Sequence, residues 1–200
     1  MFHVEQPEPF VSRETEARLR AFEQLLLTWT QRINLIGRGD VPVAWQRHIL
    51  DCAQLAPLLP DKGDMADLGA GGGLPGIVLA ILRPVPIHLV ESDRRKAAFL
   101  REASRDLPHV TVHAKRIEEA TLPPLAAVTA RALAPLAALL PHSARLLAPG
   151  GVAVFPKGRT AEAELTDAAP HWLMRVERFP SRTDPDSTLL RLSEIRPAGA

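Results

Sequence analysis

The chain has no tyrosine and one cysteine, and aromatic residues of all kinds make up only 4% of its 200 positions. With Cys52 alone, neither an intramolecular disulfide nor a cysteine-based zinc site can form within the chain, and a reducing, cytoplasmic setting is expected. The missing tyrosine leaves Phe, Trp, His and Arg as the side chains on which a nucleic-acid base could stack. Neither sign of charge dominates: 24 Lys and Arg stand against 23 Asp and Glu, for a formal net charge of +1. That balance neither requires nor excludes a nucleic-acid partner. Long apolar runs are also missing, because charged residues or prolines interrupt each one short of a membrane span. The opening Met1-Phe2-His3-Val4-Glu5 has no basic stretch followed by an apolar one, so neither export nor a membrane partner is expected.

What is present suffices for one folded core, at 46% hydrophobic and 24% charged residues. Arg94, Arg95, Lys96, Arg101, Arg105, Lys115 and Arg116 outnumber nearby acids, whereas Glu5, Glu8, Glu14, Glu16 and Glu23 make the start acidic. Both are read as solvated helix faces. Ser12 is placed to cap a helix whose apolar face is Leu19, Phe22, Leu25, Leu26 and Trp29 and whose pattern ends near Asn34. A turn at Gly37-Arg38-Gly39-Asp40 precedes a second helix, expected from Pro42 to Pro60, with Trp45, Ile49, Cys52 and Ala53 on its buried side. Residues 1–61 are therefore expected as an N-terminal helical extension and 62–200 as the main unit.

From Met65 onward, short apolar runs bounded by turn residues alternate with stretches of helical spacing, which predicts an α/β fold built on a mostly parallel sheet. Strands are expected at 65–68, 87–90, 110–113, 127–129 and 152–155, and helices at 75–82, 94–107, 135–147 and 160–168. Two further strands, at 172–179 and 187–195, flank the turn-rich Pro180-Ser181-Arg182-Thr183-Asp184-Pro185-Asp186. Such a hairpin would add an antiparallel member at one edge of the sheet.

The richest segment is Asp67-Leu68-Gly69-Ala70-Gly71-Gly72-Gly73-Leu74-Pro75-Gly76, between the first strand and the first helix after it. Glycines there let the chain turn tightly and let a ligand lie against bare backbone, at the strand ends where open α/β sheets place ligands. Gly71 to Gly76 also fits the G-x-G-x-x-G dinucleotide pattern, so a nicotinamide cofactor and S-adenosylmethionine compete. Asp67 favours the second, since its carboxylate suits a cationic amino-acid end and would repel a pyrophosphate. Glu91, ending the second strand, can accept both hydroxyls of a ribose and serves either cofactor. Leu147-Ala148-Pro149-Gly150-Gly151 before the fifth strand is a turn that recurs in class I methyltransferases.

Together with Asn34-Leu35, Arg47-His48-Ile49-Leu50-Asp51, Val90-Glu91-Ser92, Lys96-Ala97-Ala98-Phe99-Leu100, Arg116-Ile117-Glu118, Ala130-Arg131-Ala132 and Lys157-Gly158, this segment resembles the RsmG or GidB family. Members of that family are small-subunit ribosomal RNA guanine-N7 methyltransferases. The resemblance covers most of the chain. It implies a class I, Rossmann-like S-adenosylmethionine-dependent methyltransferase sheet with an N-terminal helical extension, with cofactor contacts on Gly69, Leu74, Ile117, Glu118 and Arg131. The implied substrate is N7 of a guanine in the decoding-region loop of 16S rRNA within the small ribosomal subunit, with no obligate protein partner. Two positions depart from the pattern: Cys52 stands where serine is common, and Ile33 where an aromatic often precedes Asn-Leu.

Guanine N7 is already a lone-pair nucleophile, so no general base is demanded and catalysis would come from orientation and exclusion of water. A cytosine-C5-type cysteine nucleophile is absent, because Cys52 falls on an apolar helix face. The Asp/Asn-Pro-Pro-aromatic motif of amine methylation is absent too; Thr121-Leu122-Pro123-Pro124-Leu125 lacks both the acid and the ring. Arg131 follows the fourth strand, where it could hold a phosphate or base edge as well as line the cofactor pocket. Lys157 and Arg159 are candidates for RNA phosphates, and Asn34 and His48 either position substrate or fix the extension to the core. His109 and His113 would lie about 13 Å apart on one strand, too far for a shared metal ion, and no metal is expected. Trp29, Trp45 and Trp172 are read as core residues. Two other functions stay open: a non-catalytic cofactor-binding assembly factor of the small subunit, and a small-molecule methyltransferase.

Overall fold

The computed structural model describes residues 12–199; the expected acids Glu5 and Glu8 and the opening Met1 to Val4 lie outside the described residues. α1 (Arg13–Thr30) starts where Ser12 accepts the Thr15 N–H on its side-chain oxygen, at 3.2 Å. Its Leu19, Phe22 and Leu26 are buried, as the spacing predicts. Trp29 packs its ring 5.7 Å from that of Phe99. Trp45 lies under the Arg20 guanidinium, 3.3 Å from the ring centre, a favourable cation–π geometry.

The second helix expected from Pro42 to Pro60 is not continuous. The chain forms a 3₁₀ segment at Arg38–Val43, a π-helical turn at Trp45–Leu50, one α-turn, α2 (Asp51–Ala53), and another 3₁₀ turn at Ala56–Leu58. Its carbonyls find partners outside the segment: Arg131 donates to Arg47 O, Arg83 to Ala56 O and Pro60 O, and Arg191 to Leu58 O. Those donors relieve the need for a regular i to i−4 ladder.

The sheet is built from β1 (Met65–Leu68), β2 (Ile87–Val90), β3 (Val110–His113), β4 (Leu125–Thr129), β5 (Leu147–Lys157), β6 (Trp172–Pro180) and β7 (Thr188–Pro197), in the order β3-β2-β1-β4-β5-β7-β6. β1 to β5 run parallel; β7 is antiparallel to β5, and β6 closes that edge. The intervening helices are α3 (Gly76–Leu82), α4 (Arg94–Ala103), α5 (Leu136–Leu146) and α6 (Ala161–Ala168). The turn expected at 147–151 is absorbed into β5, where the register with β4 shifts between Leu125 and Ala127. Gly151 is needed there: a Cβ would come within 2.8 Å of Leu125 O.

Alternation along the strands sends side chains to two cores. Met65, Ile87, Leu89 and Leu189 join α1, α3 and α4 on one face; Ala66, Leu68, Val90 and Leu190 join α5 and α6 on the other. The first core holds Leu19 and Phe22 of α1 together with Ile77 of α3, so the extension is packed into the same core as the sheet. Among the described residues, no helix is long and apolar enough to cross a membrane.

Candidate active site

The glycine turn leaves the C-terminal end of β1 and enters α3. Gly69, Gly71 and Gly73 hold φ of +66°, +51° and +73°, a region side chains disfavour. Ala70 N–H bonds to Val90 O at 3.0 Å, which ties the turn to β2. From the other side α1 and the following segment close down on it: a Cβ at Gly72 would meet Leu26 and Leu35 O at 3.3 Å, and one at Gly73 would meet Phe22 at 3.3 Å. At Gly71 the space is open. The nearest atoms to an added Cβ are Gly69 O at 3.6 Å and Glu91 Oε2 at 4.0 Å, so the backbone is bare on the side where a side chain would stand.

Glu91 is fixed by two main-chain donors, Gly71 N–H to Oε2 at 2.9 Å and Asp93 N–H to Oε1 at 2.7 Å. Each oxygen keeps a further lone pair for a hydroxyl. Asp67 differs from its expected place. It is 1% exposed and accepts the Gly76 N–H at 2.8 Å and the Thr129 hydroxyl at 3.3 Å. It therefore closes the turn from beneath, out of direct reach of a ligand's cationic end. Burial pushes its carboxyl up to about 7, against the pull of the Gly76 N–H, the Thr129 hydroxyl and Arg131. Leu74 is buried beside the turn, and the Leu74–Pro75 peptide is cis. Ile117 sits in a 3₁₀ turn after β3 with its side chain against the second core; Glu118 is exposed and lies 3.5 Å from His142.

Next to the turn lies a groove of about 1260 Å³, walled by the 131–135 loop after β4, by Arg47, His48 and Asp51 of the irregular segment, and by the β6–β7 turn. Arg131 crosses it. Its guanidinium donates to His48 Nδ1 at 2.9 Å, Arg47 O at 3.3 Å and Asp51 Oδ2 at 3.4 Å. Since Nδ1 accepts, His48 carries its proton on Nε2, which among the described residues has no hydrogen-bond partner and faces Asp40 at 3.3 Å. Burial holds the His48 imidazole below its ordinary range, assisted by Arg131 and opposed by Asp40.

The four expected substrate residues separate. His48, Lys157 and Arg159 line the groove; Asn34 does not, and stands exposed beside the glycine turn next to Leu35. Arg159 is on the rim, paired with Asp186 and 81% exposed. Lys157 differs from its expected setting: its side chain is nine-tenths buried and its ammonium donates to Ala134 O at 3.0 Å and Glu164 Oε2 at 2.8 Å. Burial alone would push Glu164 up, yet Lys157, the Leu136 N–H and Thr160 outweigh it and the carboxyl sits below its ordinary value. Cys52 is fully buried and its thiol is pushed up to about 12 by burial, as a structural residue requires.

Sequence reasoning missed three features. Gln54 binds the β6–β7 turn through Ser181, Thr183 and Arg182, while Thr183 donates to Asp51 at 2.6 Å. Leu133, exposed beside Gly69, carried no pattern of its own. His113 pairs with His88 at 3.0 Å, and His88 with Asp64 at 3.1 Å; the adjacent strands β2 and β3 supply this contact, which no spacing along one strand reveals. Among the described residues, no group of three or more His, Cys, Asp or Glu is placed to hold a metal ion.

The family described as rRNA small subunit methyltransferase G (GidB) matches residues 15–187. Ribosomal RNA small subunit methyltransferase G of Rhodospirillum centenum is 58% identical over 94% of this chain and 88% of its own. The protein of the same name from Acidiphilium cryptum is 57% identical over 97% and 92%. Solved structures share the fold at low identity. Fibrillarin of Aeropyrum pernix, in complex with natively bound S-adenosyl-L-methionine, aligns with a TM-score of 0.58 at 17% identity, over 74% of this chain and 75% of that one. The N-methyltransferase NodS of Bradyrhizobium japonicum, in complex with S-adenosyl-L-homocysteine, aligns at 0.56 and 14%, over 88% and 96%. With this sheet order, a glycine turn fixed by Asp67 and Glu91, and identity above half across nearly the whole length, the chain belongs to the rRNA small subunit methyltransferase G family.

Proposed function

We propose that this small-subunit rRNA methyltransferase acts in the cytoplasm, transferring the methyl group of S-adenosylmethionine to N7 of a guanine in 16S rRNA. The observation that carries the choice of atom is the state of the carboxylates along the groove. Asp40 is paired with Arg47, Asp51 with Arg131, Glu164 with Lys157 and Asp186 with Arg159, and Asp184 accepts from Ser187 and the Asp186 N–H. None stands free to take a proton. Carbon and amine acceptors must lose one to be methylated, whereas N7 of neutral guanine already offers its lone pair. The buried Cys52 removes the covalent route as well.

S-adenosylmethionine, when bound, supplies an electrophilic methyl group on a sulfonium. Gly69, Gly71 and Leu74 would hold it along the turn, Glu91 would accept from the ribose hydroxyls, and Ile117 and Glu118 would flank the far end of the same sheet edge. Asp67 contributes charge from beneath the turn. Arg131, braced by His48 and Asp51, separates turn from groove and orients the base; Arg159 on the rim offers a donor to RNA phosphate, and Asn34 a contact beside the turn. The work left to these residues is alignment of acceptor with methyl group and exclusion of water.

The test is labelled methyl transfer to small subunits, and to naked 16S rRNA, from a strain lacking the gene, followed by chemical cleavage at N7-methylguanine. Label with cleavage at one guanine is expected. Label without cleavage would overturn N7, and cofactor binding with no transfer to either form would favour an assembly factor.

A further inference from the structure

β1 and β4 are neighbours, with Asp67 opposite Thr129, so the glycine turn and the loop Arg131–Pro135 leave the sheet side by side. The loop is fastened at both ends. Arg131 is held by His48 and Asp51; at the other end Ala134 O accepts from Lys157, and the Leu136 N–H that opens α5 donates to Glu164 at 2.7 Å. Between the fastenings Ala132 is driven to φ +51°, a conformation that a residue with a side chain keeps only when its surroundings impose it. The outcome is the placement of Leu133. Its Cδ1 lies 2.5 Å from where a Cβ on Gly69 would be, yet the side chain is 40% exposed and lines the groove.

Leu133 thus packs on Gly69 and leaves the rest of its apolar side chain open, among ion pairs, at the border of turn and groove. We propose that Leu133 is the surface against which the acceptor base is registered, and that Lys157 and Glu164 are positioning residues that hold it from behind. A flat purine face suits a leucine methyl pair, and the contact is available only at the border of turn and groove. Lys157, already committed to Ala134 O and Glu164, acts on the reaction through the loop and not on RNA phosphate. This inference rests on methyl transfer to rRNA and is independent of which guanine atom receives the methyl.

The experiment measures single-turnover methylation of small subunits, calorimetric binding of S-adenosylhomocysteine, and subunit affinity across a salt series. Leu133→Ala should lower the methylation rate about tenfold through lost alignment while cofactor affinity stays within about twofold. Lys157→Met should lower the rate comparably and leave the salt slope of subunit binding unchanged, whereas Arg159→Met should reduce that slope by about one. Lys157→Arg, which keeps both a donor and a cation, should recover most of the rate. A wild-type rate for Leu133→Ala would overturn the proposal. So would a Lys157→Met protein whose salt slope falls by about one with its rate intact, which returns Lys157 to a phosphate. Should Lys157→Met fail to fold, Leu133→Ala, at an exposed side chain, decides alone. Wild-type protein that labels no subunit overturns the activity itself and this inference with it; wild-type labelling matched by Leu133→Ala overturns the inference only.

Discussion

The main-chain N–H of Gly76, at the start of α3, donates over 2.8 Å to the carboxylate of Asp67, which is buried near the end of β1. One bond thus closes the glycine turn from beneath, and among the described residues its acid forms no ion pair. Burial raises the folded-state carboxyl from its ordinary 3.8 to about 7. The unfolded chain gives up this proton near pH 4 and the folded protein only near 7, so between those values the folded state holds more protons and stability falls as pH rises. Asp67→Asn removes that dependence. From pH 4 to pH 8, urea titrations should show the variant gaining about 4 kcal/mol relative to wild type; parallel curves would refute the raised value.

The same acid couples to the cofactor. A cationic ligand beside the turn favours the ionised carboxylate, so S-adenosylmethionine should bind more tightly as pH rises through about 7 and should release a fraction of a proton on binding below that value. Calorimetry in two buffers of different ionisation heat reads the proton directly. Asp67→Asn should bind with no such pH dependence.

Gly76 has a steric role as well. An added Cβ would come within 2.3 Å of Leu89 and 2.7 Å of the Asp67 carboxylate. Gly76→Ala is expected to destabilise the fold by about 2–3 kcal/mol, as overpacking of a core does. Gly39, with nothing within 4 Å of an added Cβ, is the control, and Gly39→Ala should leave stability within about 0.5 kcal/mol of wild type. Equal melting temperatures for the two variants would contradict the packing.

Where local chemistry decides structure, it could be read in advance. β1, β2 and β3 begin and end where expected because short apolar runs are bounded by turn residues, and Ser12 caps α1 because its oxygen has the first-turn N–H within reach. Gly71 and Glu91 could be assigned to one cofactor site because each stands at the carboxyl end of its strand, although the bond between them could not be read. The segment from Arg38 to Leu58 could not be read so, since Arg83, Arg131 and Arg191 come to its carbonyls from remote elements. The setting of Lys157 is hidden for the same reason: Glu164 and Ala134 O, which pair with it, come to it through tertiary contacts.

Arg131 depends on the protonation of its neighbour. His48 Nδ1 can accept from the guanidinium only while the imidazole is neutral. Burial first, then Arg131 and Arg47, lower the His48 value below its ordinary 6.5; Asp40 and Asp51 oppose them. Because the folded value is depressed, the neutral ring and its bond to Arg131 persist above pH 6.5 and are lost as pH falls through the lower folded value. With cofactor saturating, so that Asp67 does not contribute, the methylation rate should show an acid limb below pH 6.5. His48→Asn keeps an acceptor without the titration and should retain about a tenth or more of the rate at neutral pH, with the limb gone. A limb at the same position in His48→Asn would assign it to another group and release Arg131 from this control.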